Sequence, residues 1–370
     1  MKILQLVTKR QYRGAEVFAA NLSDELIKLG HEIIFAGLYL NDSEVLRVEK
    51  GKNIDLSNDK SLLSSLQLIK NLVKLINSEK PDVIQCNGSD TLKFTVAASF
   101  FTRKTHITYR NISTISKWID SSLKLNFYKT LFKKVDHVTS VGSESIQDLI
   151  ETLDYPQEQT SVIRRGIPVK SLSPEDLSYL KSELGFFSNE KIVMHIGNFS
   201  PEKNHNFLLD IFSDIKKSFS HIKLVCVGEG ETYQDIKEKI KKRNLEDTIK
   251  LLGFRKDISE LLTQAHCLVL ASKIEGVPGV ILEAASQKVP SVATNVGGVS
   301  EVIIDNETGF IIDDFNKNEF KMRVISLLSD EKLKNRMGEN AFRLVERDFN
   351  PLKNAQKFET LYIQLVNKNN

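Results

Sequence analysis

Cysteine is scarce in this chain: Cys86, Cys226 and Cys267 are the only three in 370 residues. They stand far apart, fall in predicted strands, lack metal-ligand spacing and cannot all pair. That pattern excludes a disulfide scaffold and predicts buried, reduced thiols. Long apolar runs are missing too. No stretch approaches the roughly 20 residues needed to span a bilayer, and the opening apolar run, residues 1–7, is too short for a signal peptide and has no small-residue cleavage site. The expectation is a cytoplasmic protein. Charge of one sign is also lacking: 51 Lys and Arg stand against 48 Asp and Glu, a net of +3, too little to make nucleic acid the main partner. There is no Asp-x-Asp pair and no His/Cys cluster, so neither a metal site nor a cofactor is expected.

Short β-branched and apolar runs alternate with longer helical patterns. The first half offers strands at 3–7, 32–36, 83–86, 107–109, 138–141 and 161–163. The second offers 192–196, 223–227, 249–252, 267–270, 291–293 and 309–312. Helical stretches such as 15–29, 62–77, 206–216 and 317–328 lie between them. Such alternation predicts parallel strands with crossover helices. Because the series occurs twice, it predicts an α/β protein of two Rossmann-like doubly wound domains facing across a cleft. The domains are expected at 1–165 and 166–350. A connector would occupy 164–190, marked by Pro168, Pro174 and Gly185, with one short helical pattern at 176–183. Asn350-Pro351 reads as an N-cap followed by proline in the first turn of a last helix, 351–366.

In open α/β sheets, ligands bind beyond the carboxyl ends of the strands. Four loops there stand out. Residues 8–16 contain Arg13, Gly14 and Glu16 before a helix, which is either an anion-binding turn or a plain structural one. Residues 195–204 supply Gly197 for close approach and Lys203, which is a diphosphate-binding cation or a solvated lysine. In 272–283, Pro278 is suited to a first helical turn, which would leave the N–H groups of Gly279, Val280 and Ile281 open to an anion. Glu275 and Glu283 there would accept hydrogen bonds from sugar and ribose hydroxyls. In 294–301, Gly297 and Gly298 open another helix or make a tight turn.

Taken together, "GNFSPEKN" (197–204), "VGEG" (227–230), "LGFRKDI" (252–258), "EGVPGVILEA" (275–284), "VPSVATNVGGVSEVI" (289–303) and "TGFII" (308–312) resemble the retaining glycosyltransferases of family 4. "RGAE" (13–16), "KPDVIQCNG" (80–88) and "RGIP" (165–168) extend the likeness more thinly into the first half. The resemblance implies the GT-B fold and a last helix, within 351–370, crossing back to the first domain. It implies an NDP-sugar donor, UDP above all, held mainly by the second domain, and an acceptor held mainly by the first. Glu283 would hold the ribose, Glu275 the donor sugar and Lys203 the diphosphate, with Gly253, Phe254 and Arg255 edging the base. Gly14, Gly197, Asn198, Gly276, Val277, Gly279 and Val280 complete the candidate donor site. There are three departures from the family. Asn198 stands where arginine is common, Lys288 where glycine is usual, and Arg110 takes the place of a histidine after the fourth strand, with His106 before that strand.

The expected chemistry is hexosyl transfer to a saccharide or lipid-linked saccharide in surface-polysaccharide synthesis. It would be metal-independent and retain anomeric configuration. Arg110, Lys203 and Glu275 are the catalytic candidates, with helix N-termini stabilising the leaving diphosphate. Rival readings are an NDP-sugar epimerase of similar architecture and a catalytically silent nucleotide-sugar-binding subunit. Residues 101–134 are basic, and Trp118, Leu123, Phe127, Leu131 and Val135 recur at helical spacing. They make either a core-facing helix with a basic rim or a surface for anionic lipid on the inner face of the membrane. His31, His137, His221 and His266 read as structural and His205 as a helix cap. His195 ends a strand that faces the expected cleft.

Overall fold

The computed structural model describes residues 1–41, 44–58, 62–167, 179–219 and 221–368. In chain order the elements are β1 (Lys2–Lys9), α1 (Gly14–Lys28), β2 (Glu32–Tyr39), β3 (Lys52–Ser57), α2 (Leu62–Glu79), β4 (Val83–Cys86), α3 (Ser89–Ser99), β5 (His106–Asn111), α4 (Ser122–Phe132), β6 (His137–Ser140), α5 (Ser143–Leu153) and β7 (Thr160–Val162). There follow α6 (Tyr179–Glu183), β8 (Lys191–Ile196), α7 (His205–Ser218), β9 (Ile222–Val227), α8 (Tyr233–Lys242), β10 (Ile249–Leu251), α9 (Ile258–Leu262), β11 (Cys267–Leu270), α10 (Gly279–Ser286), β12 (Ser291–Thr294), β13 (Gly309–Ile312), α11 (Lys317–Ser329), α12 (Glu331–Asp348) and α13 (Pro351–Asn367).

The chain forms two compact units, Met1–Gly166 with Phe349–Asn370, and Ile167–Asp348. The middle of the expected connector, residues 168–178 with Pro168, Pro174 and the end of the "RGIP" segment, lies outside the described residues. Unit 1 carries a parallel sheet in the order β3-β2-β1-β4-β5-β6-β7, and unit 2 one in the order β10-β9-β8-β11-β12-β13. The strand order reverses between β1 and β4 and between β8 and β11, so the loops after those strands flank each sheet's switch point. Helices on both faces bury the central strands throughout: β4, β11 and β12 have no exposed residue. This is the α/β class the strand–helix alternation predicts. The pattern missed β3, an edge strand reading KNIDLS with only Leu56 buried, because its polar residues leave no apolar run to see.

In unit 1 one face of the sheet, with Leu4, Leu6, Ile84, Cys86, Ile107, Tyr109 and Val138, packs under α2 to α5. The other face packs Ile3, Val83 and Ile163 against α1 and α13, whose Phe18, Phe358 and Tyr362 rings meet there. Helix α13 starts as its sequence suggests. The Asn350 side chain accepts from the Lys353 N–H at 3.0 Å and Pro351 follows. A Cβ on Gly166 would sit 2.3 Å from the Pro351 Cα, so only glycine lets the chain pass there. The core of unit 2 packs Val193, Leu224, Cys226, Cys267, Val269 and Val292 against α7 and α11 through Phe207, Phe212, Phe320 and Val324. All three cysteines are free and buried, and burial pushes their thiols up to about 12.

Lys288 shows why glycine is usual at its position. It follows the C-cap of α10 with φ +58°, the left-handed conformation that ends many helices. Its side chain pairs with Glu339 at 2.7 Å.

Candidate functional site

Unit 2 gathers the donor-site candidates where β8, β11 and β12 end. Gly197 follows β8, and the loop descends through the buried Phe199 to a single 3-10 turn, Pro201–Lys203. The Lys203 ammonium reaches the Glu275 carboxylate at 2.5 Å. Ser272 donates to the same Glu275 oxygen at 2.6 Å, and Thr294 holds the Ser272 carbonyl at 2.7 Å. A backbone hydrogen bond from Lys273 N–H to Glu202 carbonyl, 2.7 Å, ties the two loops together. The structure therefore brings Lys203 and Glu275 into one charge pair. Their loops were singled out in the sequence separately; Ser272, which fixes the carboxylate, was missed. Its only signal is a hydroxyl two positions beyond a buried strand.

The glycines of these loops serve packing between backbones. A Cβ on Gly297, whose φ is +52°, would meet the Glu275 carbonyl at 2.0 Å, and one on Gly228 would meet the Gly197 carbonyl at 2.0 Å. Gly298 N–H donates to the Gly276 carbonyl at 2.8 Å. Expected as possible helix openers, Gly297 and Gly298 instead begin a short 3-10 segment pressed onto the Glu275 loop.

Helix α10 corrects the expected register by one residue. Pro278 is its N-cap, not its first turn, because its ψ of 106° is extended. Ile281 N–H is consequently satisfied by the Pro278 carbonyl at 3.2 Å. Among the described residues, Gly279 and Val280 are left with N–H groups at the start of the helix, beside Gly276 and Val277. Glu283 lies one turn on, half-buried. Asn198 is exposed at the loop's surface. Gly253 (φ +66°) gives its carbonyl to Gly228 N–H at 2.8 Å, and Phe254 beside it is 62% exposed. The Arg255 side chain is bidentate to Asp257, at 2.8 and 2.6 Å, and reaches Glu183 at 2.6 Å. Hydrogen bonds that Arg255 donates to Asp257 and Glu183 raise its pKa further, while Arg255 holds Asp257 down at about 2. That side chain anchors α6 to the β10–α9 turn, so only the backbone of Arg255 is left to edge a ligand.

Two histidines differ from expectation. His195 lies inside β8 and is fully buried; its Nδ1–H donates to the Val269 carbonyl at 3.0 Å, and burial lowers its pKa to about 4. His205 opens α7 but does not cap it. Its ring stacks on Phe199 at 4.0 Å and meets His195 edge-on at 4.7 Å, and burial, with His195 and Lys203 near, lowers it to about 3.

In unit 1, Gly14 is the first residue of α1 with open space around it. Arg110 was expected after its strand, and His106 before it. β5 runs from His106 to Asn111 and contains both. The ladder continues past the apolar run because parallel pairing with β6 extends to Asn111. Arg110 is buried, with its guanidinium 3.2 Å from the centre of the Phe18 ring. The basic segment is split by the fold. Tyr128, Leu131, Phe132 and Val135 are buried and Trp118 packs against them, while Leu123 and Phe127 are 85% and 48% exposed. Phe100 and Phe101 are exposed as well, and the Lys134 ammonium lies 5.1 Å from the Phe100 ring centre. Among the described residues, no helix is long and apolar enough to cross a membrane.

Two family models match the chain in succession: Glycosyltransferase Family 4 over residues 12–171 and Glycosyl transferases group 1 over residues 179–344. The N-acetyl-alpha-D-glucosaminyl L-malate synthase of Bacillus anthracis is 31% identical over 247 residues, 67% of this chain and 64% of that protein. This chain thus spans just under two thirds of that relative. The UDP-Gal:alpha-D-GlcNAc-diphosphoundecaprenol alpha-1,3-galactosyltransferase of Escherichia coli is 25% identical over 319 residues, 83% of this chain and 81% of that one. The crystal structure of Anabaena HepE in complex with UDP and glucose superposes with a TM-score of 0.83 at 22% identity, covering 98% of this chain and 99% of that one. The two parallel-sheet units have the GT-B fold. The chain belongs to the family 4, group 1 glycosyltransferases.

Proposed function

We propose that the protein transfers a hexose or N-acetylhexosamine from a UDP-sugar to a saccharide or lipid-linked saccharide acceptor in glycoconjugate or surface-polysaccharide synthesis. Unit 2 binds the donor and unit 1 the acceptor. The observation that carries this reading is the Lys203–Glu275 pair, set at the ends of β8 and β11 beside the open N–H groups of Gly279 and Val280. Breaking a sugar–diphosphate bond places negative charge on the leaving oxygen. Lys203 and the start of α10 supply positive charge there without a divalent cation. As Lys203 turns to the diphosphate, Glu275 is released to accept from sugar hydroxyls. Glu283, one turn along α10, holds the ribose, and Phe254 with the Gly253–Arg255 backbone edges the base.

Among the described residues, the Glu275 carboxylate is engaged by Lys203 and Ser272, which favours front-face attack by the acceptor hydroxyl and retention at the anomeric carbon. The two relatives, one a GlcNAc–malate synthase and the other a transferase onto a diphosphoundecaprenol-linked sugar, support hydroxyl-bearing anionic or lipid-linked acceptors. For a lipid-linked acceptor, Leu123, Phe127, Phe100 and Phe101 with Lys104, Lys133 and Lys134 form the surface that meets anionic lipid at the cytoplasmic face of the membrane.

The test is a panel of NDP-sugars and acceptors assayed by nucleotide release, with and without chelator, and with the product's anomeric configuration read by NMR. Acceptor-dependent UDP release that withstands chelator, with retention, is expected. Isomerisation of the donor without release would identify an epimerase instead, and binding without turnover a silent subunit. Flotation with anionic but not neutral liposomes is expected for the membrane contact; its absence removes that part alone.

A further inference from the structure

Unit 1 hides a polar seam on the face of its sheet that α1 and α13 cover. Gln5, Gln85, Asn87, Thr108, Arg110 and Thr139 are all buried there. Toward the middle of the sheet most of the seam is paired, although Gln5 Nε2 has no partner among the described residues. Asn87 Nδ2 donates to Gln5 Oε1 at 3.0 Å, and Thr108 Oγ1 and Tyr362 OH both donate to Gln85 Oε1 at 2.9 Å. At the carboxyl ends of the strands the pattern breaks. Arg110 pairs in register with Thr139 on β6. On the other side, Asn87 lies one position beyond the Cys86–Tyr109 pair that joins β4 to β5. Asn87 Oδ1, Arg110 Nε and Thr139 Oγ1 are each enclosed without a hydrogen-bond partner among the described residues.

Arg110 is 2% exposed. The Phe18 ring covers one face of its guanidinium, and the nearest influential charge is a second cation, Arg165. Burial first, and then Arg165, pull the Arg110 pKa well below its ordinary value, with Tyr362 opposing them. Enclosing a cation without a counter-charge is unfavourable. Stacking on a ring leaves the five N–H groups in the guanidinium plane, a fork that fits two oxygens of a carboxylate or phosphate. Arg10, at the other end of the same sheet, shows the contrasting arrangement: equally buried, it is neutralised by Asp55.

We infer that Arg110, Thr139 and Asn87 form an oxyanion pocket of unit 1 that takes a phosphate or carboxylate carrying a neighbouring hydroxyl group. Arg110 and the Thr139 hydroxyl donate to the anion. Asn87 Oδ1, an amide oxygen held in this orientation by the Nδ2 bond to Gln5, can only accept, and so it calls for an O–H beside the anion. The inference rests on the proposed transfer reaction, since the hydroxyl so held is what an acceptor must bring. Two sources share this chemistry: an acceptor's own anionic group and the diphosphate of the donor.

Calorimetric titration of the full chain with glycerol 3-phosphate and with UDP, on wild type, Arg110→Gln, Arg110→Lys and Lys203→Ala, separates them. The expected result is that glycerol 3-phosphate binds in Lys203→Ala and in UDP-saturated wild type, weakens about tenfold or more in Arg110→Gln, and partly recovers in Arg110→Lys. Competition between glycerol 3-phosphate and UDP, with both weakened in Arg110→Gln, would keep the pocket and assign it to the donor's diphosphate. Equal binding of both ligands by wild type and Arg110→Gln would overturn it, as would no binding of glycerol 3-phosphate to wild type. Melting adds a second readout. Without anion, Arg110→Gln should melt no lower than wild type; a large drop, unaffected by anion, would make Arg110 a structural residue and sink the proposal. Because anion binding is read without turnover, these outcomes stand apart from failure of the transfer assay itself.

Discussion

Arg110 of unit 1 and the strand-end cations of unit 2 are handled in opposite ways, and within unit 1 Arg10 follows the unit 2 pattern through its pair with Asp55. In unit 2, Lys203 meets Glu275, and Arg255 meets Asp257 and Glu183. Each cation there is held by an acid supplied from a neighbouring loop, and the loops are pressed together through glycines. In unit 1, Arg110 lies under Phe18 with Arg165, not an acid, as its charged neighbour. A pair such as Lys203–Glu275 is stable before a ligand arrives and must rearrange to admit one. A lone buried guanidinium is unfavourable until one arrives. Unit 2 therefore presents a preassembled, self-compensated pair, whereas the proposed pocket of unit 1 would be completed by what it binds.

The largest test of that contrast lies in the compensated pair. Lys203→Ala and Glu275→Ala should each lower kcat by about 10²–10³-fold while the protein stays folded, checked by steady-state transfer and circular dichroism. Near-normal turnover in both would break the reading of unit 2. Second comes acid. His137, His195, His205 and His266 are held neutral by burial, at about 4, 4, 3 and 4. Between pH 6.5 and about 4 the unfolded chain binds protons that the folded chain refuses. Their stabilisation is therefore complete above pH 6.5 and is lost as pH falls toward 4, on the order of 3 kcal/mol for the fully buried His195 and less for the partly exposed His137 and His266. Three of the four lie in unit 2, so a pH series of melting curves should show unit 2 failing first, and His205→Phe should flatten the loss.

Third, Gly297→Ala should destabilise the protein by about 2 kcal/mol, because the new Cβ meets the Glu275 carbonyl and the φ is positive. Gly14→Ala, with open space around it, should leave the melting temperature within about 1 °C. Equal effects at the two positions would erase the contrast between packed and open turns. The smallest effect is expected at Phe254→Ala: a fall in UDP affinity of about fivefold, from a lost stacking partner, read by calorimetry.

Much of unit 2 was legible because its site is written in short segments. A buried strand followed closely by glycine, a lysine or a glutamate marks a candidate ligand loop, and the Lys203 and Glu275 loops after β8 and β11 were visible that way. What escaped was register at single-residue scale. Pro278 caps α10 instead of opening it, since nothing local fixes its ψ, and His106 joins β5, since pairing with β4 lengthens a strand beyond its apolar run. The edge strand β3 was invisible because an edge needs only one apolar side chain to hold it. In unit 1 the polar seam left no trace: Gln5, Arg110 and Thr139 belong to three strands and Asn87 follows a fourth, and no spacing links them.

The sequence by itself determined the alternation of strand and helix, the two sheets, the family, and the loops from which Lys203 and Glu275 come, because periodicity and short motifs are local properties. Only the tertiary structure decided that those two residues share a hydrogen bond, that the loop glycines serve packing between backbones, and that Arg110 is buried beside Thr139 and Asn87. Parallel pairing brings together side chains that are dozens of residues apart, and burial sets their charge through neighbours that no stretch of sequence contains.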